Sequence, residues 1–334
     1  MKIAVIGAGS WGTALAQVLS DAGSDVVIWA RRQEVADGIN NHHANPGFLS
    51  KFELSSSITS TTSISDALDG ATAAVIVVPS KYLRQTAQNM APYVDNSLKI
   101  VICSKGVESQ TGLLPEQIFE QELGNSERLA TLSGPTHAEE VIAKIASGAV
   151  IASIELQCAH FFRDLFATEY FRTYTSDDVI GVELCAAFKN VIAIAVGISY
   201  GLGYGDDTAA MLITRGLAEM SRMVLASGGK EMTCMGLAGA GDMIVTCMSR
   251  HSRNRRFGQD YIACGKNLED FERDTHMVVE GAIACKTLDV LSEKHNVELP
   301  LTDAIRRIVW QGESARDIAK ELIERPLKDE FHTA

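Results

Sequence analysis

The chain has 334 residues, 46% of them hydrophobic and 22% charged, which is material for about two domains with sizeable cores. That excludes a disordered chain and a disulfide-dependent mini-fold. A formal charge of −12 excludes generic attraction to nucleic acid or to anionic membranes, so any bound anion must be met by locally concentrated cations.

From the N-terminus, short β-branched runs alternate with helix-like segments. Residues 3–6 predict a strand running into glycines, and 12–22 carry apolar residues at helical spacing. Further strands are predicted at 25–29, 73–78, 99–103, 129–132 and 149–153, all short and mostly apolar. Near-continuously apolar strands separated by helices predict a doubly wound, mainly parallel sheet covered on both faces. Beyond about residue 178 the strand signal fades. Residues 179–198 predict a long apolar helix charged only at Glu183 and Lys189, and 208–227, 281–295, 301–311 and 314–325 continue with helical periodicity. The expected fold is an α/β N-terminal Rossmann-like domain, residues 1–180, followed by an all-α C-terminal domain, 181–334, with a ligand cleft at the joint.

Gly7-Ala8-Gly9-Ser10-Trp11-Gly12 is G-x-G-x-x-G between a strand and a helix, the context a dinucleotide-binding loop demands. The glycines allow a tight turn, close backbone approach to a pyrophosphate and close helix–strand packing, while the helix N-terminus offers free N–H groups. In NAD-selective proteins an acidic side chain ends the second strand. Here Ala30-Arg31-Arg32 stands at that place and the first carboxylate is Glu34. Two arginines suit a 2′-phosphate, so NADPH is favoured over NADH; the alternative is a pair of solvated surface arginines.

Lys105, in Cys103-Ser104-Lys105-Gly106, follows an apolar strand. It either meets a carbonyl or anion in the crevice lined by the strand ends, or is a turn lysine. Lys189 interrupts an apolar stretch. Desolvated, it would be a proton donor and acceptor near neutrality; the alternative is a lysine snorkelling to water. In Gly134-Pro135-Thr136-His137-Ala138-Glu139-Glu140, Thr136 and Glu139 have capping-box spacing, and His137 reads as a solvated helix-start residue. No H-E-x-x-H or comparable metal spacing occurs.

Arg250, Arg253, Arg255 and Arg256, with Ser252 and Asn254 among them, read as a local anion site in an acidic chain, since the arginine fork matches phosphate. A solvated loop and an RNA-binding loop are the alternatives, although no aromatic residue lies inside the run for base stacking. Asp242, after Gly239-Ala240-Gly241, either orients an active-site lysine or caps the next segment. Seven cysteines are scattered, with no C-x-x-C pair, as expected of reduced thiols and not of a disulfide framework or zinc site. The start lacks a signal-peptide cleavage pattern, and the longest uncharged stretch, 190–205, falls short of the ~20 apolar residues a membrane span needs. A soluble cytoplasmic protein without nucleic-acid partners or membrane insertion is expected.

Together these motifs resemble the bacterial NAD(P)-dependent glycerol-3-phosphate dehydrogenases over nearly the whole chain. The resemblance rests on Gly7-Ala8-Gly9-Ser10-Trp11-Gly12, Ser104-Lys105-Gly106, Ser133-Gly134-Pro135-Thr136-His137-Ala138, Lys189-Asn190, Gly241-Asp242, His251-Ser252-Arg253-Asn254 and Val278-Val279-Glu280-Gly281. It implies reversible NAD(P)H-dependent reduction of dihydroxyacetone phosphate to sn-glycerol 3-phosphate for phospholipid synthesis, by a homodimer. By the same resemblance Lys189 is the acid–base group, with Lys105 and Asp242 beside it. Gly134, Thr136, Asp242, Ser252, Arg253 and Asn254 match substrate positions. Ser10, Trp11, Arg31, Arg32, Ala138, Val278 and Glu280 match cofactor positions, and Lys105 and Arg253 serve both ligands. A related dehydrogenase acting on a β-hydroxyacid is the alternative, and it leaves the arginine run without work.

Overall fold

A computed structural model describes residues 1–275, 278–327 and 329–330. In the N-terminal half, strand and helix alternate as β1 (Lys2–Ile6), α1 (Ser10–Asp21), β2 (Asp25–Trp29), α2 (Gln33–His42), β3 (Ile58–Thr61), α3 (Ile64–Leu68), β4 (Ala73–Ile76) and α4 (Leu83–Met90). They continue as β5 (Lys99–Ile102), α5 (Pro115–Leu123), β6 (Leu129–Ser133), α6 (Ala138–Ile142), β7 (Ser147–Ala152), α7 (Leu156–Phe166) and β8 (Phe171–Ser176). The eight strands form one sheet in the order β3-β2-β1-β4-β5-β6-β7-β8. All neighbours are parallel except β6 and β7, which pair antiparallel with Leu132 opposite Ile151. The strand order reverses direction between β1 and β4, so the loops after β1, β4, β5 and β6 open at one edge, where such sheets bind ligands.

Two strands escaped the sequence reading, β3 and β8. They are the two edges of the sheet, and their sequences, Ile-Thr-Ser-Thr and Phe-Arg-Thr-Tyr-Thr-Ser, alternate instead of running apolar. An edge strand buries less of itself, so a search for continuous apolar runs passes over it.

The remaining helices are α8 (Val179–Gly201), α9 (Asp206–Ala226), α10 (Glu231–Cys234), α11 (Asp242–Met248), α12 (Arg253–Cys264), α13 (Leu268–Thr275), α14 (Glu280–His295), α15 (Pro300–Gln311) and α16 (Ala315–Ile323). The axis of this half is α8, against which α9, α11, α12, α14 and α15 pack. Of its 23 residues, 20 are buried. It is long and apolar enough to cross a bilayer, but 94% of its most apolar window is covered by the rest of the molecule. Its low amphipathicity follows from being surrounded on all sides. The core around α8 extends to Val107, Leu114 and Ala152 of the sheet half, so the halves share apolar packing at their joint.

Buried carboxylates fasten this joint and the helices on α8's far side. Glu183 of α8 accepts the Glu116 N–H at the start of α5 at 3.1 Å. Glu219 of α9 accepts the N–H groups of Leu301 and Thr302 at the start of α15. Burial holds the Glu183 carboxyl well above its ordinary pKa and lifts that of Glu219 to about 7.

Candidate active site

The loop after β1 is shaped by its backbone. Gly7 has φ +126°, and a Cβ there would stand 2.5 Å from the Val77 carbonyl oxygen. A Cβ on Gly12 would collide with the Gly7 carbonyl, so α1 can lie this close to β1 only with glycine at that position. Around Gly9, by contrast, a Cβ meets nothing within 4 Å. Gly9 is also the N-cap of α1 and supplies no side-chain acceptor. No side chain caps the first-turn N–H groups, which suits a pyrophosphate. Ser10 opens α1, but the Trp11 indole turns inward against Phe171, ring centroids 6.5 Å apart, with a buried Nε1 that has no partner. Ala138 is buried at the start of α6, Val278 is half-buried, and Glu280 begins α14.

Beyond β5, Lys105 reaches across to the helical half, where its Nζ is 2.7 Å from Asp242 Oδ2. The other oxygen of the same carboxylate, Oδ1, is 2.6 Å from Lys189 Nζ. One buried carboxylate thus lies between two ammonium groups, one from each half, and the cluster carries one net positive charge. Asp242 follows the π-helical turn Leu237–Gly241, a wide turn of a kind often found at functional sites. Thr246, one helical turn after Asp242, places its hydroxyl 3.1 Å from Lys189 Nζ and 3.2 Å from Asp242 Oδ1. An ammonium has three donors. With two of Lys189's spent on Asp242 and Thr246, one remains for a ligand.

Lys189 does not snorkel: 7% of the residue is exposed. Burial, reinforced by the Lys105 charge and opposed by Asp242, lowers its pKa to about 8. For Lys105 burial also presses downward, but Asp242 overrides it and the pKa is raised. Burial alone would raise the Asp242 carboxyl; its two lysines reverse this and lower it.

The arginine run is not a single loop. Arg253 begins α12, and Ser252 is its N-cap, accepting the Arg255 N–H through Oγ at 3.2 Å. Arg255 turns inward over the Tyr200 ring at 4.9 Å and donates to the Met248 carbonyl. Arg250, Arg253 and Arg256 stay exposed. Arg256 faces Asp260 at 3.7 Å, whereas Arg253 has no hydrogen-bond or ion-pair partner among the described residues. Asn254 is buried, donates to Asn190 Oδ1 at 2.9 Å and accepts the Gly281 N–H at 2.9 Å. It ties α8, α12 and α14 together and keeps one amide hydrogen free.

Two expectations for the loop after β6 are corrected. Thr136 does not form a capping box with Glu139; its hydroxyl donates to the Gly134 carbonyl at 3.1 Å, and His137 takes the N-cap position without a side-chain bond. Nor is His137 solvated, since it is half-buried against the His251 ring of the other half, centroids 6.0 Å apart. Burial, with the nearby Lys189 charge, lowers its pKa. Both corrections have one cause: the loop is pressed into the joint between the halves instead of facing water. The Gly134 backbone, φ +158°, passes so near β7 that a Cβ would be 2.7 Å from the Gly148 carbonyl oxygen.

The sequence reading missed Thr246. Its signal was the spacing of four from Asp242, which puts both on one helix face. All seven cysteines are free, and among the described residues no three His, Cys, Asp or Glu side chains gather as a metal site.

Comparison with known proteins agrees with this geometry. Residues 2–159 match the family described as NAD-dependent glycerol-3-phosphate dehydrogenase N-terminus, and residues 178–320 match its C-terminus. The chain is 42% identical to "Glycerol-3-phosphate dehydrogenase [NAD(P)+]" of Shouchella clausii (strain KSM-K16), with 99% of this chain and 98% of that protein covered. It is 43% identical to the protein of the same name from Bacillus pumilus (strain SAFR-032), covering 97% and 94%. The crystal structure of glycerol-3-phosphate dehydrogenase from Coxiella burnetii superposes with a TM-score of 0.92 at 36% identity, over 97% of this chain and 99% of that one. With both halves matched by the family models and relatives at 42% and 43% identity over nearly the whole chain, this chain belongs to the NAD-dependent glycerol-3-phosphate dehydrogenase family.

Proposed function

We propose that this chain reduces dihydroxyacetone phosphate reversibly to sn-glycerol 3-phosphate, with Lys189 as the acid–base group. The observation that carries the reading is the Lys105–Asp242–Lys189 bridge, which leaves one uncommitted N–H on a buried ammonium next to the loop that follows β5. When bound, the reduced nicotinamide supplies a hydride to the ketone carbon. Lys189 Nζ donates its proton to the carbonyl oxygen as negative charge grows there, and takes it back in oxidation. Asp242 and Thr246 orient that ammonium. Lys105 adds a second positive charge at the crevice and, with Asp242, joins the two halves around the reacting group.

Arg253, exposed and unpaired, and the free amide hydrogen of Asn254 are assigned to the substrate phosphate, with Ser252 shaping the helix start that presents them. Gly134 and Thr136 are assigned to the substrate as well, on the loop whose Pro135 lies against Gly241, next to Asp242. Gly7, Gly9, Ser10, Trp11 and Gly12 hold the pyrophosphate through backbone N–H groups, with Ala138, Val278 and Glu280 nearer the nicotinamide end. We assign Arg31 and Arg32 to the ribose, where two cations favour NADPH over NADH. We further assign the enzyme to the cytoplasm, as a phospholipid precursor supplier, with residues 1–180 and 181–334 as its two domains. It is read as a homodimer through the helical domain, where Met232 on α10, Met235 just after it, and Ile244 and Met248 on α11 are exposed.

The test follows the near-ultraviolet absorbance of NADPH and of NADH on addition of dihydroxyacetone phosphate. Oxidation that stops when the ketone is exhausted supports the reading. Oxidation of the coenzyme by an unphosphorylated β-oxo acid, with none by dihydroxyacetone phosphate, defeats it. Sedimentation of the purified protein decides the dimer.

A further inference from the structure

Glu34 stands at the second position of α2, beside the two arginines that follow β2. Arg32 Nη1 is 2.9 Å from Glu34 Oε1, and both side chains are substantially exposed, at 49% and 67%. The other end of the guanidinium rests on Gly47, where a Cβ would stand 2.6 Å from Arg32 Nη2. Arg31 is exposed and has no hydrogen-bond or ion-pair partner among the described residues. The two arginines are therefore not equivalent: one is free, and the other is folded back between a carboxylate and a bare stretch of backbone.

A 2′-phosphate arriving here must share the Arg32 guanidinium with Glu34, whose carboxylate also repels it. A coenzyme with a 2′-hydroxyl makes no such demand and leaves the pair closed. We propose that Glu34 is a specificity-determining residue that limits the preference for the 2′-phosphorylated coenzyme by competing with it for Arg32. The inference rests on the assignment of Arg31 and Arg32 to the ribose. Because the pair is exposed and screened by water, the effect is modest, about threefold to fivefold, or about 0.6–1 kcal/mol.

The experiment measures KM for NADPH and NADH, and inhibition by 2′,5′-ADP and 5′-AMP, on wild type, Glu34→Gln and Arg32→Ala at low and high salt. Glu34→Gln is expected to lower the constants for NADPH and 2′,5′-ADP by about threefold to fivefold. Those for NADH and 5′-AMP should move by less than about twofold, and the contrast should shrink at high salt. Arg32→Ala should raise KM for NADPH by about tenfold. If Arg32→Ala leaves that KM unchanged, the ribose assignment and the competition fall together. If Arg32→Ala acts but Glu34→Gln shifts neither coenzyme, or both alike, the competition alone is overturned.

Discussion

The glycine loop after β1 and the lysine bridge are built by opposite means. Between β1 and α1 the chain works through backbone: glycines that can turn, glycines that leave room, and N–H groups no side chain uses. At α8 and α11 it works through side chains: a lysine and an aspartate taken from water into an apolar core, each made tolerable by the other. The difference teaches where substitutions hurt. Change in the first region obstructs a ligand, whereas change in the second alters a charge whose partners are buried with it.

The sharpest test of the contrast is Lys189→Ala, expected to lower kcat by about 10²–10⁴-fold. The dissociation constant for the coenzyme should hardly move, which fluorescence titration would check. Near-normal kcat would remove Lys189 from proton transfer. Next comes Arg253→Ala, expected to raise KM for dihydroxyacetone phosphate by about tenfold to a hundredfold through loss of a charge-assisted contact. The thermal midpoint should stay put because the side chain is exposed and unpaired; an unchanged KM would free Arg253 from the phosphate.

Gly9→Val probes the backbone region. The open space at Gly9 predicts little loss of stability together with a rise of about tenfold in coenzyme KM, from a side chain that fills the pyrophosphate's place. A large drop in thermal midpoint with unaltered KM would mean the loop is packed rather than waiting. The gentlest probe is pH. With the Lys189 pKa lowered to about 8, the ammonium needed for reduction is lost as pH rises through that value. There kcat/KM for reduction should fall by about tenfold per pH unit, and for oxidation it should fall on the acid side instead. Parallel profiles in the two directions would contradict one group serving both.

Legibility in the sequence followed the same division. The strand–glycine loop–helix order of β1 and α1 was readable because it depends only on residues in sequence order. The apolar strands and α8 were readable because burial on all sides leaves no polar period. The edge strands β3 and β8 were not, since solvent on one side lets Thr, Ser and Arg enter. Arg253 could be singled out by the density of charge around it, but its neighbours Arg255 and Asn254 could not be sorted from it. One turns onto Tyr200 and the other ties three helices, and nothing within the run distinguishes them.

What the sequence determined by itself is whatever depends on neighbours along the chain: the turn after β1, the acidic balance with its local cations, and the isolation of one lysine among apolar residues. What only the tertiary structure decided is which charges meet. Asp242 is 53 positions from Lys189 and 137 from Lys105, yet it bonds both. A buried charge must find a partner because leaving it unpaired costs far more than the packing gains. Which partner it finds is set by how α8, α11 and the loop after β5 pack together. The same packing drew His137 into the joint and left Arg253 free at the surface.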